Sequence, residues 1–474
     1  MKLSILSGIY ADQSANWRSS YPRNLVPVPK AQGISDGYLR PADGIVSLGS
    51  APGVSRGGIL WQGLVYRVLG TKLCTVAAGG AVSILGDVGG AGPCRMDYSF
   101  DRLGIVSGGN LFFWDGATLA QVTDPDLGTV LDARFIAGYW LVTDGTAAAV
   151  TDLTDPTSVN PLRYGSAEAD PDPILAVGES RNEAYLFGRH TIQVSQNVGG
   201  DNYPFADVPG ATVNRGVIGT HAVCEYGGTF AFVGSGRNEA PAVYLMLPGD
   251  SAKISTREID TLLAGYTEAQ LAGVVVESRT DKAHEHLLIH LPDQTLVFDA
   301  PATKAAQVPV WFTLTSSVVG LGAYRARHAI WAHDRWNVAD PTAGAVGYLT
   351  DATASQWGAV NGWEFGVAVL YAEGNDALIH EMELVTLAGR VELGADPVVW
   401  TSHSFDGLKW GRETAKHCGK RGQTLKRLAW RTQGPVRNLR MQRFRGTSDA
   451  FLTMTRLEVQ FEPLHTRPGA GRGG

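Results

Sequence analysis

Short apolar runs that come in pairs, with turn residues between them, recur along the first three quarters of the sequence. In the first pair, residues 64–69 and 73–76 flank the turn Gly70-Thr71-Lys72. Two apolar runs around a short turn that contains glycine are typical of a β-hairpin. Later pairs lie within 103–114, 135–144, 184–194, 229–247, 284–298 and 328–349. The pattern therefore predicts a succession of antiparallel hairpins.

The predicted hairpins are evenly spaced. Their starts lie near residues 64, 103, 134, 182, 228, 284 and 328. The mean step of about 44 residues falls in the range of ~40–50 residues that four-stranded propeller blades occupy. We therefore predict an all-β protein with a β-propeller-like repeat of about six to seven blades over residues 46–355. A series of β-sandwiches is the alternative fold.

A small helical insertion interrupts the repeat at residues 257–273. Its second half begins with Thr267, and Gln270 follows three residues later. A threonine and a glutamine at this spacing form a capping box, in which each side chain bonds the other residue's backbone N–H. Gly273 then predicts the end of the helix.

The two ends of the chain differ from the repeat. Residues 1–45 contain Pro22, Pro27, Pro29 and Pro41, which predict an extended N-terminal arm held by other parts of the protein. After the repeat, long runs alternate arginine with apolar residues, as half-buried strands do. We predict a C-terminal antiparallel β domain over 356–465, followed by a flexible Gly/Arg tail at 466–474.

Composition supports the strand prediction, and charge divides the chain. Glycine accounts for 58 of 474 residues, which disfavours helices and suits many tight turns. The net charge of −6 hides an acidic body, with 25 basic and 42 acidic residues in 1–408, and a basic end, with 15 and 4 in 409–474. An acidic body does not bind nucleic acid by releasing counterions.

The basic end has two interpretations. It can complement an acidic protein surface, on this chain or on a neighbour, or it can contact DNA. Because its arginines alternate with apolar residues, the first interpretation is favoured. We expect protein–protein contacts from seven of them, namely Arg421, Arg427, Arg431, Arg437, Arg440, Arg443 and Arg445.

The sequence offers little that resembles a catalytic or metal site. His284, His286 and His290 project to one face of a predicted strand, as zinc ligation would require. The favoured interpretation is that they are solvent-face and inter-blade histidines, hydrogen-bonded and without a metal. The segment 404–410 resembles a shortened Asp box, which predicts a turn. We predict no catalytic, cofactor-binding or metal-binding residues, and the four dispersed cysteines predict no disulfide scaffold.

Four segments, taken in order, resemble one protein family. They are Tyr38-Leu39-Arg40 before Gly44-Ile45, the glycine-rich 214–220, the long stretch 266–300, and 406–413. They are similar to the packaged-DNA stabilisation proteins of short-tailed phages, also known as tail accessory, nozzle or tail hub proteins. The arginine-rich stretch 421–445 has no counterpart in that pattern.

The resemblance implies a non-enzymatic virion protein without cofactors, made in the host cytoplasm and located in the phage tail. The family forms a ring, expected to be a hexamer, that closes the channel below the portal and adaptor proteins. It retains packaged double-stranded DNA without sequence-specific binding and conducts it during ejection. Tail needle and tail fibre or tailspike proteins are the further expected partners, and no membrane span is expected.

Two other function classes stay open at this point. One is a carbohydrate-binding or carbohydrate-cleaving β-propeller, for which the enzyme would need two carboxylates across a cleft. The other is a protein-interaction propeller of host origin, although the repeat letters of the WD and Kelch families are missing and Trp114-Asp115 occurs once.

Overall fold

The computed structural model describes residues 2–6, 21–30, 35–165, 172–200, 202–370, 376–407, 409–436 and 439–464. Within these ranges the chain forms 39 strands, three short helices and nine sheets. The predicted Gly/Arg tail and Arg437 lie outside the described residues.

The strands are numbered in chain order. The N-terminal strands are β1 (Lys2–Leu3), β2 (Leu25–Pro29), β3 (Gly37–Pro41) and β4 (Gly44–Ser50). The middle strands are β5 (Ser55–Trp61), β6 (Leu64–Leu69), β7 (Lys72–Val76), β8 (Val82–Asp87), β9 (Arg95–Tyr98), β10 (Leu103–Ser107), β11 (Asn110–Trp114), β12 (Leu119–Gln121), β13 (Asp132–Ile136), β14 (Tyr139–Thr143), β15 (Ala148–Thr151), β16 (Val159–Gly165), β17 (Ile174–Ser180), β18 (Glu183–Gly188), β19 (Ile192–Asn197), β20 (Phe205–Asp207), β21 (Gly216–Val217), β22 (Val223–Tyr226), β23 (Thr229–Ser235), β24 (Ala242–Leu247), β25 (Asp250–Lys253), β26 (Val275–Asp281), β27 (His284–His290), β28 (Thr295–Asp299), β29 (Trp311–Leu314), β30 (Arg327–Ala332), β31 (Arg335–Ala339) and β32 (Ala345–Thr350). The C-terminal strands are β33 (Gly362–Leu370), β34 (Ala377–Leu387), β35 (Val398–Ser404), β36 (Thr414–His417), β37 (Leu428–Val436), β38 (Leu439–Thr447) and β39 (Thr453–Pro463).

Seven consecutive antiparallel sheets form a β-propeller. The first six blades begin at β5, β9, β13, β17, β21 and β26, and their strands follow one another along the chain. The seventh has the order β30-β31-β32-β4. Innermost strands of neighbouring blades contact each other around the ring, including β30 against β5. The prediction of a propeller with six to seven blades and a small helical insertion is confirmed, with seven blades.

The N-terminal strand β4 closes this ring. It pairs with β32 in antiparallel register, with Val46 opposite Tyr348 and Ile45 opposite Leu349. The outermost strand of the last blade therefore comes from the opposite end of the propeller sequence. Because this pairing joins residues about three hundred positions apart, the seventh blade depends on long-range closure that no local pattern encodes.

Neighbouring blades pack closely enough to require glycine at one contact. A Cβ atom at Gly104 of β10 would lie 2.4 Å from a ring carbon of Trp140, which belongs to the next blade. Trp140 is 2 % exposed and also packs against Phe113 and Phe135. The small residue lets a large aromatic ring fill the space between two blades.

The C-terminal strands form a β-sandwich with help from the N-terminus. One sheet has the order β2-β3-β39-β34-β37, with β1 also paired to β39, and the other has the order β33-β38-β35-β36. Their core contains residues from both ends of the chain, including Leu25, Leu39, Phe365, Trp430 and Phe444. The predicted N-terminal arm thus contributes strands to the sandwich, while β4 belongs to the propeller.

The three helices are α1 (Arg257–Leu263), α2 (Glu268–Ala272) and α3 (Ala300–Ala306). Thr256 caps α1, and the capping box of Thr267 and Gln270 at α2 is present in both directions. The sequence analysis missed α3, which Asp299 caps through a hydrogen bond from the Ala302 N–H.

Candidate functional site

The expected partner contacts place the candidate functional site in the sandwich, but the arginines divide between its surface and its interior. Arg421, Arg427 and Arg431 are exposed. Arg440 is fully buried, and Arg443 and Arg445 are partly buried.

Arg440 is held by its own domain. Its Nε and Nη2 donate to Gln442 Oε1 at 3.1 and 3.0 Å, and its Nη1 donates to the Gln433 carbonyl. Burial lowers the pKa of Arg440 to about 10. Since this side chain does not reach the surface of the chain, the expectation of a partner contact does not apply to it in the folded domain.

Arg443 and Arg445 both pair with Glu413. The Arg443 guanidinium also stacks over Trp410, 4.3 Å from the ring centroid. These contacts are intramolecular and link β38 to the loop that follows β35. That loop contains the predicted Asp-box-like turn, in which the Lys409 N–H donates to Asp406 at 2.8 Å.

Arg427 and Arg431 are arranged along one edge of the sandwich. Arg427 Nε donates to Glu383 at 2.7 Å, and Arg431 Nε donates to Glu381 at 3.0 Å. Hydrogen bonding to Arg427 lowers the pKa of Glu383. Both guanidinium groups nevertheless remain largely in solvent, with side-chain exposures of 68 % and 83 %.

A groove of 580 Å³ lies beside these two arginines, between the edge strands β36 and β37. Its lining includes Lys416 as well as Arg427, Arg431 and Trp430. The Trp430 ring is buried, and its Nε1–H has no hydrogen-bond partner. The groove therefore presents the exposed positive charges of Lys416, Arg427 and Arg431.

The candidate histidines are only partly brought together. His284 Nδ1 lies 2.6 Å from Asp299 Oδ2, and His286 Nε2 lies 3.5 Å from the same oxygen. His290 is elsewhere on the strand, with its Nδ1 2.9 Å from Thr295 Oγ1. Asp299, which the sequence analysis did not select, takes the third position. It lies opposite His286 in the register of β27 and β28.

Hydrogen bonding explains the cluster without a metal. Arg279 Nη2 donates to His286 Nδ1 across 3.3 Å, so the neutral ring carries its hydrogen on Nε2, facing Asp299. Burial lowers the pKa of His286 to about 4, which keeps the ring neutral. A metal at Nε2 would have to displace that hydrogen while Arg279 held the other nitrogen. The histidines are thus hydrogen-bonded, as the favoured interpretation expected, but His286 and His290 are buried between strands and blades and do not lie on a solvent face.

Charged side chains also occupy the axis of the propeller. Arg95 donates to Asp132 on the next blade at 2.9 Å and to the Thr220 carbonyl, across the axis, at 2.9 Å. Glu277 accepts the His328 N–H through both carboxylate oxygens, at 2.8 and 2.9 Å. These contacts tie blades to one another inside the ring. The sequence analysis missed them because each partner lies in a different repeat.

A surface pocket of 380 Å³ tests the carbohydrate alternative. It is lined by Arg215, Glu239, Tyr244, Lys253 and Asp260, among other residues. Arg215 pairs with Glu239 at 3.1 Å, and Lys253 pairs with Asp260. Hydrogen bonding to Arg215 lowers the pKa of Glu239. A glycosidase needs one carboxylic acid with a raised pKa, so Glu239 does not fit the role of that acid.

Comparison with known proteins identifies the family. The family model described as Bacteriophage P22 Gp10, beta-propeller, matches residues 1–354, and the one described as Bacteriophage P22 Gp10, beta-sandwich, matches residues 362–462. The chain belongs to the phage P22 Gp10 family. These matches confirm the predicted family, and they agree with the propeller and sandwich seen in the structure.

Individual relatives of this Gp10-family chain include the tail hub protein gp10 of Salmonella phage P22. The two are 27 % identical over 97 % of this chain and 99 % of the relative. Among solved structures, BamB from Moraxella catarrhalis is 12 % identical and covers 73 % of this chain and 97 % of its own, with a TM-score of 0.36. Kluyveromyces lactis Hsv2 is 9 % identical and covers 68 % and 95 %, also with a TM-score of 0.36. Similarity at that level says nothing about function.

None of the helices in the described ranges is long and apolar enough to cross a membrane.

Proposed function

We propose that this chain is the tail hub of a short-tailed phage, and that six copies form a ring below the portal and adaptor proteins. The match of both Gp10 family models, in order along the chain, carries the proposal. A Gp10-family chain is a phage tail hub protein, so it is located in the virion tail and assembles with other tail proteins. The ring retains packaged double-stranded DNA and conducts it at ejection.

The occupied propeller axis supports a ring of several copies. DNA cannot pass through the centre of one propeller while Arg95 reaches across it to the Thr220 carbonyl. A channel for the genome must therefore lie between copies. The acidic body suits such a channel, because surfaces with the charge of phosphate do not retain sliding DNA.

The role is structural and not enzymatic. The family is one of tail proteins, and the carboxylates of the described 380 Å³ pocket are ion-paired. Partners follow from the position in the tail: the portal and adaptor on one side, and a needle, fibre or tailspike protein on the other. The exposed Arg421, Arg427 and Arg431 are proposed to contact a neighbouring subunit of the ring.

Cryo-electron microscopy of the virions that carry this chain tests the proposal. We expect density for six copies on the tail axis, directly below the portal–adaptor complex. Location on the capsid surface, or on peripheral spikes alone, would overturn it.

Deleting the gene provides a second test. Particles should package DNA and then lose it, and plasmid-borne wild-type chain should restore its retention. Particles that keep their genome without this chain would contradict the proposed role, whereas failure to package at all would indicate an earlier function.

A further inference from the structure

The sandwich has one closed side and one open side. On the closed side, Arg23 and Glu364 exchange backbone hydrogen bonds of 2.8 and 3.1 Å, which join the residues before β2 to β33. Asn24 N–H donates to the Thr313 carbonyl at 2.8 Å, which fastens the same side to the outer strand of the sixth blade. On the open side, no backbone hydrogen bond joins the edge strands β36 and β37 in the described ranges.

The open side is strongly basic. The residues 409–436 include eight basic and one acidic residue. We define the basic edge as Lys416, Arg421, Arg427 and Arg431, which lie on or beside β36 and β37. In the described ranges, Lys416 and Arg421 have no acidic partner, and Glu381 and Glu383 offset only part of the charge of the other two.

Exposed leucines accompany the basic edge. Leu425 is 93 % exposed and Leu393 is 85 % exposed, on two loops at the end of the sandwich. A hydrogen bond of 3.2 Å from the Gly422 N–H to the Gly389 carbonyl joins these loops. Apolar side chains surrounded by charge are typical of the centre of a protein interface with its polar rim.

An opposite surface lies on the second and third blades, where residues 110–165 include seven acidic and two basic residues. We define the acidic patch as Asp101, Asp115, Asp124 and Asp155. Arg102 interacts electrostatically with Asp115 and Asp155, and Asp155 interacts with Asp124, so the group is local. Arg102 pairs with Asp101 at 2.6 Å, and the four aspartates of the acidic patch outweigh its charge.

The acidic patch has its own exposed apolar residues. Phe100 is 95 % exposed, next to Asp101, and Leu153 is 57 % exposed, close to Asp155. The basic edge and the acidic patch are therefore opposite in charge, and both carry exposed apolar side chains.

The basic edge and the acidic patch lie on opposite sides of one folded molecule. The sandwich joins the outer strand of the sixth blade, and the second and third blades are each three blades away around a ring of seven. The basic edge faces away from that junction, because β36 and β37 are the sheet edges opposite β33 and β2. One copy cannot bring its own two surfaces together, but two copies can do so head to tail.

We propose that the basic edge of each copy docks on the acidic patch of the next copy. Such a contact joins two different surfaces, and repeating it closes a ring when the rotation between copies allows. The occupant of the basic edge is thus a second copy of this chain, with the exposed leucines against Phe100 and Leu153. The proposal rests on the proposed ring and names the residues that build it.

Charge exchange between copies tests the contact. Variant A carries Arg427→Glu and Arg431→Glu, and variant B carries Asp115→Arg and Asp155→Arg. We expect each variant alone to lose self-association by at least about a hundredfold in Kd, measured by light scattering or native mass spectrometry. An equimolar mixture should recover association, because the reversed edge of A meets the reversed patch of B while the other surfaces remain native.

A matched control reverses two exposed cations elsewhere, Arg181→Glu and Lys282→Glu, on the fourth and sixth blades. It should associate like the wild type. Wild-type association should also weaken between 0.1 and 1 M salt, where the Debye length falls from about 10 to about 3 Å. Circular dichroism checks that all variants are folded. A chain that carries the changes of both A and B should associate with itself, because its edge and its patch are again opposite in charge, and this result would show that the substitutions do not prevent folding.

Each other outcome overturns the docking proposal. Variant A that still associates, a mixture that does not recover, or a control that fails equally would each show that the contact lies elsewhere. Loss of DNA retention by variant A with its ring intact would assign the basic edge to nucleic acid. In these cases a ring seen in virions leaves the proposed function standing, whereas a wild-type chain found outside a ring in virions overturns both.

Discussion

The propeller and the sandwich handle their sheet edges differently. In the propeller, β4 closes the ring, and the charged residues at its axis are paired between blades. In the sandwich, backbone hydrogen bonds at Arg23 close one side, whereas in the described part of the chain β36 and β37 end their sheets beside exposed arginines without a further strand partner. Free edges are usually protected by charge or covered by a partner. The propeller is thus closed on itself, whereas the sandwich presents the surface that we propose as the contact between copies.

The sandwich and the propeller also depend on different parts of the N-terminus. Truncation of the N-terminus should therefore have the largest effect on their relative stability. A chain lacking residues 1–41 keeps β4 but loses β1–β3 and the buried Leu25 and Leu39. Each lost leucine costs about 2–5 kcal/mol, so the sandwich should unfold while the propeller survives. Removal of 1–50 should unfold both.

Limited proteolysis with mass spectrometry distinguishes these outcomes. The shorter deletion should leave a protected fragment that spans the blades, and the longer deletion should leave none. A sandwich that stays protected without residues 1–41 would contradict the assignment of β2 and β3 to its sheet.

Within the sandwich, two arginines of similar sequence context should behave differently. Arg440→Ala removes a fully buried side chain and leaves the acceptors on Gln442 and Gln433 unpaired, so we expect a loss of about 3 kcal/mol in the free energy of unfolding. Arg431→Ala serves as the matched control, because an exposed ion pair contributes about 0–1 kcal/mol. Urea denaturation measures both, and equal effects would contradict the division into interior and surface arginines.

Acidification should destabilise the propeller more than the sandwich. His286 is enclosed by Arg279, His284 and Asp299, and burial lowers its pKa to about 4. The unfolded chain takes up this proton near pH 6.5, so stability is fully present above that pH and falls as the pH drops towards 4. The expected loss from this group is about 3 kcal/mol.

Denaturation series at several pH values check this expectation. His286→Gln should reduce the steepness of the decline by close to one proton, as read from the slope of stability against pH. In the sandwich, His403 is only half-buried and contributes less. An unchanged slope in the variant would show that other groups dominate the acid response.

A smaller effect should reveal the close approach of neighbouring blades. Gly104→Val places a side chain against Trp140 and should cost about 1–3 kcal/mol. In the sandwich, Gly446→Val meets the ring of Trp363, where a Cβ atom would lie 2.5 Å away, and should cost a similar amount. Gly79→Ala, with open space around its Cβ position, should change the melting temperature little.

Hairpins and caps were predictable because their information is local. Most predicted starts fell on the second strand of a blade, as Leu64 in β6 and His284 in β27 show. These strands are easy to recognise in the sequence because most of their side chains are buried and most of the buried ones are apolar. Two predicted starts, near residues 134 and 328, fell on the innermost strands β13 and β30, whereas the innermost strands of the other five blades were not selected as starts. The helix α3 had a readable signal, since Asp299 precedes Ala300-Pro301.

The candidate site was only partly predictable for a similar reason. Strand alternation alone shows that Arg440 faces opposite to Arg443 and Arg445, but not which face is buried. Asp299 joins His286 through strand pairing. Two carboxylates near the basic edge, Glu381 and Glu383, lie more than forty residues from their arginine partners.

The sequence by itself determined the strand-rich class, the repeat, the helical insertion and the division of charge, because short-range periodicity and composition carry each of these. Tertiary structure decided that β4 closes the seventh blade, that β2 and β3 complete the sandwich, and that Arg440 is interior while Arg431 is exposed. Those outcomes depend on which distant strands pair and which face they bury. Pairing between distant strands is selected by the packing of the whole chain and produces no local sequence pattern in either segment.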